Sequence, residues 1–275
     1  MSNEARPAPG PLSLVEPWDL VSEGYTAETS SVMLPFARHA IELAEVAASA
    51  RVLDVATGPG VLALELAPRV QRVDAIDFSP AMLEQFELQR RARGIENVFA
   101  SLADGQSLPF ADESFDAAFS MFGLMFFPDR ARGFSELHRT LRPGGVALVS
   151  SWAPVDQSPL MMLMFGALRA ADPSRAAPQR NLLNLENPEV FQRELEAAGF
   201  REVRVEPRTH SLQVEDPLSW WDQLCKGSAP LVMLKQRLGA NEWQRQSELA
   251  KAYLVQEIPS PRSLSTTAYL GFGRR

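Results

Sequence analysis

Cysteine occurs only once, at Cys225, in a chain of 275 residues. No disulfide can close within the sequence, and a reducing, cytoplasmic setting is expected, with Cys225 a structural thiol. Histidine is scarce as well: His39, His138 and His210 lie far apart, without the short spacings of a metal site, so no metal is expected. Positive charge is in deficit. Lys and Arg total 27 against 34 Asp and Glu, a net charge of −7, which argues against a surface that tracks nucleic-acid phosphates. The one basic run, Arg90-Arg91-Ala92-Arg93, reads as the last turn of a helix closed by Gly94. No uncharged apolar run reaches the roughly 18 residues of a membrane span, and the first 13 residues carry acids and prolines where an export signal needs a basic and then an apolar segment. Neither membrane insertion nor export is expected.

What the chain does have is 45% hydrophobic residues, enough for one large α/β core with an accessory cap. The informative stretch is VLDVATGPG at residues 52–60. An apolar, β-branched strand runs into a turn where Gly58 and Gly60 let bare backbone approach a ligand, and a helix with Leu62, Leu64 and Leu66 follows. Asp54, at the carboxyl end of that strand, supplies a fixed negative charge that suits an ammonium and repels a phosphate. A second strand, VDAID at 73–77, ends in Asp77, placed to accept from both hydroxyls of a ribose. Asp104 stands at the end of a third strand, where it can accept from an adenine amine. Strands at 115–121 and 146–151 follow. Gly58, Gly60 and Ala63 also satisfy the dinucleotide pattern GxGxxG/A, so a nicotinamide-dependent oxidoreductase stands as an alternative, although no Tyr-x-x-x-Lys pair supports it.

The order VLDVATGPG, VDAIDFSP, LADGQSLPFADESFDAAFSMFGLMFFPD and LRPGGVALVSSW, across roughly residues 51–152, resembles the class I S-adenosylmethionine-dependent methyltransferases, most closely their quinone and natural-product branch. The resemblance implies an α/β fold, doubly wound, with a mostly parallel seven-stranded sheet, helices on both faces and a helical cap. It implies S-adenosyl-L-methionine as cofactor. Gly58 and Gly60 would border its methionine part, Asp54 its ammonium, Asp77 the ribose, Ala103 and Asp104 the adenine, and Phe78 and Met82 the two faces of the adenine ring. The departure is Ala56-Thr57, where the family most often has Gly-Cys or Gly-Gly. The expected activity is methyl transfer to an O, C or N atom of a small apolar or aromatic acceptor. A non-catalytic S-adenosylmethionine-binding protein remains a further alternative.

Residues 1–50 read as an N-terminal arm, mobile to about residue 13, followed by covering helices. Residues 51–152 read as the cofactor core, and 153–275 as a cap insertion followed by the completion of the same sheet. Within residues 18–25 an aromatic lid hinged at Gly24 is expected. Helix starts are expected at Asn187-Pro188, Asp216-Pro217 and Asn241-Glu242, and strands at 203–205 and 266–272. Met161, Met162, Met164 and Phe165, with Trp220 and Trp221, are either pocket lining or ordinary core. Residues 121–126, MFGLMF, follow the fourth strand at the sheet edge where ligands bind. If a general base exists, Tyr25, Asp129 and His210 are the candidates.

Overall fold

A computed structural model describes residues 10–275 of the chain. The expected mobile arm at residues 1–9 lies outside that range. Residues 10–13 are ordered: Pro11–Ser13 form a short turn, and the Ser13 hydroxyl donates to the Phe126 carbonyl at 2.6 Å.

Seven strands form one sheet: β1 (Arg51–Val55), β2 (Arg72–Asp77), β3 (Val98–Leu102), β4 (Phe115–Met121), β5 (Leu141–Trp152), β6 (Arg201–Val214) and β7 (Arg262–Arg274). Their order is β3-β2-β1-β4-β5-β7-β6. The first five run parallel, and only β7 is reversed, pairing antiparallel with both β5 and β6. This is the doubly wound, mostly parallel sheet that the sequence implied. The strand order turns back between β1 and β4, and the carboxyl ends on either side of that switch frame the crevice in which such sheets hold ligands.

Burial follows from strand alternation. Val52, Val73, Ala75, Ala117, Phe119 and Leu148 meet one face, where α2 (Ser30–Ala44) and α3 (Val61–Leu66) pack with Phe86 of α4 (Pro80–Ala92). Leu53, Val55, Ala118, Ala147 and Val149 meet the other, under Phe134 and Leu137 of α5 (Arg130–Thr140) and Phe191 and Leu195 of α7 (Pro188–Ala197). A third cluster joins α6 (Pro159–Ala171), α8 (Pro217–Gly227) and α9 (Ala229–Glu257) into the cap. Trp220 and Trp221 belong to this cap core, and Trp221 stacks on Trp243 and donates to the Ser247 hydroxyl at 2.7 Å.

The N-terminal covering helices run from α1 (Glu16–Gly24) through a π-helical turn, Tyr25–Thr29, into α2. Gly24, where a hinge was expected, lies in continuous helix against α8. It has ordinary helical torsions, and a Cβ there would lie 2.1 Å from the Lys226 carbonyl oxygen, so the glycine is what lets α1 pack against the end of α8. Three other boundaries differ from expectation. The strand expected at 203–205 extends over Arg201–Val214, and the one expected at 266–272 over Arg262–Arg274. The helix expected from Asn241 is the second part of α9, whose first part begins at Ala229; the two are separated by Gly239 at φ 73°.

Candidate functional site

A cavity of about 240 Å³ opens at the switch point, lined by residues from the ends of β1, β2, β3 and β4, from α2 and from the N-terminal cover. The glycine turn shows how the chain opens it. Gly58, at φ 55°, faces the cavity: a Cβ there would meet only the Met82 sulfur, at 4.0 Å. Gly60, at φ 86°, faces the core: a Cβ there would lie 2.5 Å from the Phe86 ring. Both positions need glycine, for different reasons: Gly58 lines the cavity, whereas Gly60, expected to border the methionine part, is not among the lining residues and packs on Phe86. The left-handed torsion of Gly60 starts α3, and of these two glycines only Gly58 lines the cavity.

Two buried carboxylates stand beside that turn. Asp54 is 1% exposed and accepts from the Thr57 hydroxyl at 2.7 Å. Burial pushes it up to about 7, against the hydrogen bonds from Thr57 and the Ala63 amide, with nearby Asp77 adding to the rise. Its charge is therefore less fixed than the sequence suggested: a cation placed beside it is what makes the ionised form the stable one at neutral pH. Asp77 accepts from the Gly58 amide at 2.8 Å and the Ser79 amide at 2.9 Å, tying the glycine turn to the start of α4. Burial pushes it up to about 6, opposed by the amides of Ser79, Gly58 and Phe78. A carboxylate has about four acceptor sites, so these amides leave room for hydroxyl donors.

The other proposed ligand contacts fall around the same space. Phe78 and Met82 line the cavity beside Asp77, and Ala103 and Asp104 line it from the loop after β3. Asp104 also accepts from the Gln106 amide at 2.8 Å. Sequence reasoning missed several neighbours: Thr57, whose hydroxyl orients Asp54; Gly105 and Gln106; Met33 and Ala37 of α2; and Leu12 and Ser13 at the mouth. The i, i+4 pair Met33 and Ala37 was the signal for α2. Trp18 lines the cavity, its indole donating to the Leu12 carbonyl at 2.9 Å and its ring 5.4 Å from Phe126. Asp19 anchors the cover by accepting from the Ser79 hydroxyl at 2.6 Å.

The three candidate bases separate. Tyr25 lines the cavity, but burial and the facing Asp77 push its phenol well above the ordinary range, which keeps it a proton donor. Asp129 is not among the cavity-lining residues; it caps α5, accepting from the Arg132 amide at 3.1 Å. His210 stands on β6, edge-on to Phe36 at 4.6 Å, also outside the cavity lining, with Nε2 buried and without a hydrogen-bond partner among the described residues. Burial first, then the charges of His39 and Arg208, lower its pKa. His210→Leu is expected to leave binding of S-adenosylhomocysteine unchanged and to stabilise the fold by about 1 kcal/mol, because it removes an unpaired buried polar atom. Loss of binding in a folded variant, read by calorimetry, would return His210 to the site.

Met161, Met162, Met164 and Phe165 do not line the cavity, and neither do Trp220 and Trp221; Met121, Phe122 and Phe126 do. Cys225 is half-buried, and burial pushes its thiol up to about 12, leaving it inert. Among the described residues no cluster of three or more His, Cys, Asp or Glu is placed to hold a metal, and no helix is long and apolar enough to cross a membrane.

The methyltransferase-domain family model matches residues 52–145. Demethylmenaquinone methyltransferase from Thermus thermophilus is 41% identical over 123 residues, 44% of this chain and 56% of that protein, so the chain spans about half the length of this relative. The ubiquinone/menaquinone biosynthesis C-methyltransferase UbiE of Citrifermentans bemidjiense is 31% identical over 182 residues, 61% of this chain and 77% of that protein. The chain belongs to the class I S-adenosylmethionine-dependent methyltransferases. The YcgJ protein of Bacillus subtilis shares the methyltransferase fold, with a TM-score of 0.55 at 24% identity over 86% of this chain and 98% of that one. The nicotinamide and non-catalytic alternatives are not favoured by these matches.

For a methyltransferase the cofactor is S-adenosyl-L-methionine, and the site fits it on its own geometry. Gly58 leaves a bare cradle, with two buried acids, Asp54 and Asp77, standing beside it in the same cavity. The unusual Ala56 of this methyltransferase turn adopts φ 58°, the left-handed region that glycine in the family's pattern takes without strain. Asp77→Ala is expected to weaken S-adenosylhomocysteine binding by about 1.5–3 kcal/mol, the scale of hydrogen bonds to a charged acceptor. Unchanged calorimetric affinity in a folded variant would remove Asp77 from the ribose.

Proposed function

We propose that this chain transfers a methyl group from S-adenosylmethionine to an O, C or N atom of a small, apolar or aromatic molecule. The observation that carries the reading is one continuous cavity with two chemistries. Asp54, Asp77 and Asp104 line its β1–β3 end, while Met33, Met121 and Phe122 give its β4 end an apolar, aromatic wall. When bound, the cofactor supplies an already activated sulfonium methyl, so positioning does most of the catalytic work.

The protein's part follows from where its groups stand. Asp54 would hold the ammonium, Asp77 the ribose hydroxyls, and Asp104 the adenine amine. Phe78 and Met82 would flank the adenine ring, and Gly58 would let the backbone touch the ligand. Tyr25, kept protonated, would donate a hydrogen bond and take up no proton. Trp18 and Leu12 would exclude water at the mouth. The likeness to the Thermus demethylmenaquinone methyltransferase supports a ring acceptor, and the likeness to the Citrifermentans C-methyltransferase supports a carbon atom as the site of methylation. The net charge of −7 favours a small molecule over nucleic acid, and the single, inert cysteine suits the cytoplasm. We assign residues 1–50 to an arm and cover, 51–152 to the cofactor core, and 153–275 to the cap and completion of the sheet.

The test is an assay with methyl-deuterated S-adenosylmethionine against phenols, hydroquinones, amines and carboxylic acids, with product masses read out. A labelled product names the acceptor class. Tight S-adenosylhomocysteine binding with no labelled product across the panel supports a non-catalytic binding protein, and tight NAD binding supports the oxidoreductase.

A further inference from the structure

Of the acids that line the cavity, Asp54 and Asp77 are buried and Asp104 is exposed. An exposed carboxylate on a loop ordinarily turns among several rotamers, and fixing it on binding costs part of what its hydrogen bond contributes. Asp104 lacks that freedom because Gln106 holds it twice. The Gln106 backbone amide donates to Oδ1 at 2.8 Å, and the side-chain amide reaches Oδ1 at 3.1 Å and Oδ2 at 3.3 Å. The first bond fixes one oxygen; the second spans both and fixes the plane of the carboxylate. Gln106 is held in turn from its far end, where its Oε1 accepts from the Asp129 amide at 2.9 Å. A backbone N–H can only donate, so the side-chain oxygen faces Asp129 and the NH2 group must face Asp104. The loops that carry these residues are themselves fixed. The Ala103 amide donates to the Asp77 carbonyl at 3.0 Å and the Ser107 amide to the Asp104 carbonyl at 2.9 Å. A Cβ on Gly105 would lie 2.5 Å from the Phe127 ring, so the loop after β3 lies directly on the loop after β4.

We propose that Gln106 is a positioning residue that acts through Asp104, aligning its carboxylate with the amine of the cofactor's purine and so setting the preference for adenine over hypoxanthine. The proposal rests on the reading above that Asp104 meets the adenine amine. The three contacts from Gln106 take three of the carboxylate's roughly four acceptor sites and leave one on Oδ2 for that amine. Hypoxanthine carries a carbonyl oxygen in place of the amine. That oxygen would face a carboxylate that cannot donate, and the NH2 group of Gln106 is already engaged, so the wrong base leaves an acceptor against an acceptor. Asp129 thereby serves the site with its amide, while its carboxylate caps α5.

The experiment measures binding, so it does not depend on turnover. The protein is titrated calorimetrically with S-adenosylhomocysteine and with S-inosylhomocysteine, in which an oxygen replaces the purine amine. The parent should bind the adenine compound about ten-fold more tightly or better, the scale of one hydrogen bond to a charged group. Gln106→Glu keeps an oxygen for the Asp129 amide but puts an oxygen where the NH2 group stood, and should cut the preference to about three-fold or less, losing most of that hydrogen bond. Gln106→Met, which has neither group, should do the same and serves if the first variant does not fold. A merely structural contact would lower both affinities alike and leave their ratio unchanged. Asp104→Ala should also lose the preference, and adding Gln106→Glu to it should change the ratio no further, as expected of two residues acting as one unit. A ratio untouched by both Gln106 variants, or a further change in the Asp104→Ala background, would overturn the positioning role while leaving Asp104 at the adenine. Equal binding of the two compounds by the parent would overturn both. Failure of the deuterated-methyl assay beside an intact, Gln106-dependent preference would remove the transferase reading and leave this one standing.

Discussion

Asp54→Asn should lower affinity for S-adenosylmethionine by roughly ten- to a hundred-fold, the 1.5–3 kcal/mol scale of hydrogen bonds to a charged group, and should raise the stability of the ligand-free protein at pH 8. The two effects have one cause. The folded-state pKa of Asp54, about 7, lies above its unfolded value of 3.8. A group raised in this way contributes its stability fully below about pH 4 and loses it as pH climbs through 7. At pH 8 the buried carboxylate is ionised and works against the fold by an amount on the order of 2–4 kcal/mol. The amide keeps an acceptor for the Thr57 hydroxyl and has no charge to bury. Binding runs the other way: the cationic ligand needs the ionised form, so the parent protein's affinity should rise between pH 6 and 8, and the variant should lose most of that slope. Calorimetry at several pH values and melting at pH 8 check both halves. A variant that binds as tightly as the parent would separate Asp54 from the ammonium.

Gly60→Val should destabilise the protein by about 2–5 kcal/mol, adding an overpacked core of about 1–3 kcal/mol to a left-handed β-branched residue at about 1–2 kcal/mol. Its Cβ would lie 2.5 Å from the Phe86 ring, whose exposure is 0%. Gly58→Ala has no such clash and should lose only about 1–2 kcal/mol of stability to its left-handed torsion, while binding S-adenosylhomocysteine at least ten-fold more weakly, because its methyl points at Met82 and the cavity. Urea titration of one variant and calorimetry of the other check the contrast. If Gly60→Val folds like the parent and fails only in binding, the glycine meets the ligand after all.

That contrast shows what the sequence could and could not disclose. The βα core was legible because it is written in local chemistry: continuous apolar strands, a glycine turn and acids at strand ends; beyond it, the helix starts at Pro188 and Pro217 were legible in the same way. The separate duties of Gly58 and Gly60 were not, since a glycine needed for ligand approach and one needed for packing are the same letter. Gly24 misled for the same reason, reading as a hinge where it permits contact with Lys226. β6 was underestimated because it is an edge strand, alternately exposed along Arg201–Val214 and carrying Pro207, so only a short piece of it looked like a strand. Asp129 resembled a base only because a cap and a base use the same carboxylate. His210 stood out as polar in a polar segment, while its neighbour Phe36 lies 174 positions earlier on α2, which no local reading reaches.

The single reversed strand sets the order in which this protein can assemble. β7 comes after every other strand in the chain, yet it lies between β5 and β6. Until residues 262–274 are available, β5 has a bare edge and β6, made some fifty residues earlier, has no partner at all. The five parallel strands with the acid-lined end of the cavity can therefore form first, and β6 can join only by pairing with β7. The pairing of β7 with β5 joins positions as far apart as Val146 and Arg274, the longest span in the sheet, and pairing at such a distance is slow, so the edge of β5 stays open longest. Refolding followed by pulsed hydrogen exchange should accordingly protect β1 and β4 ahead of β6.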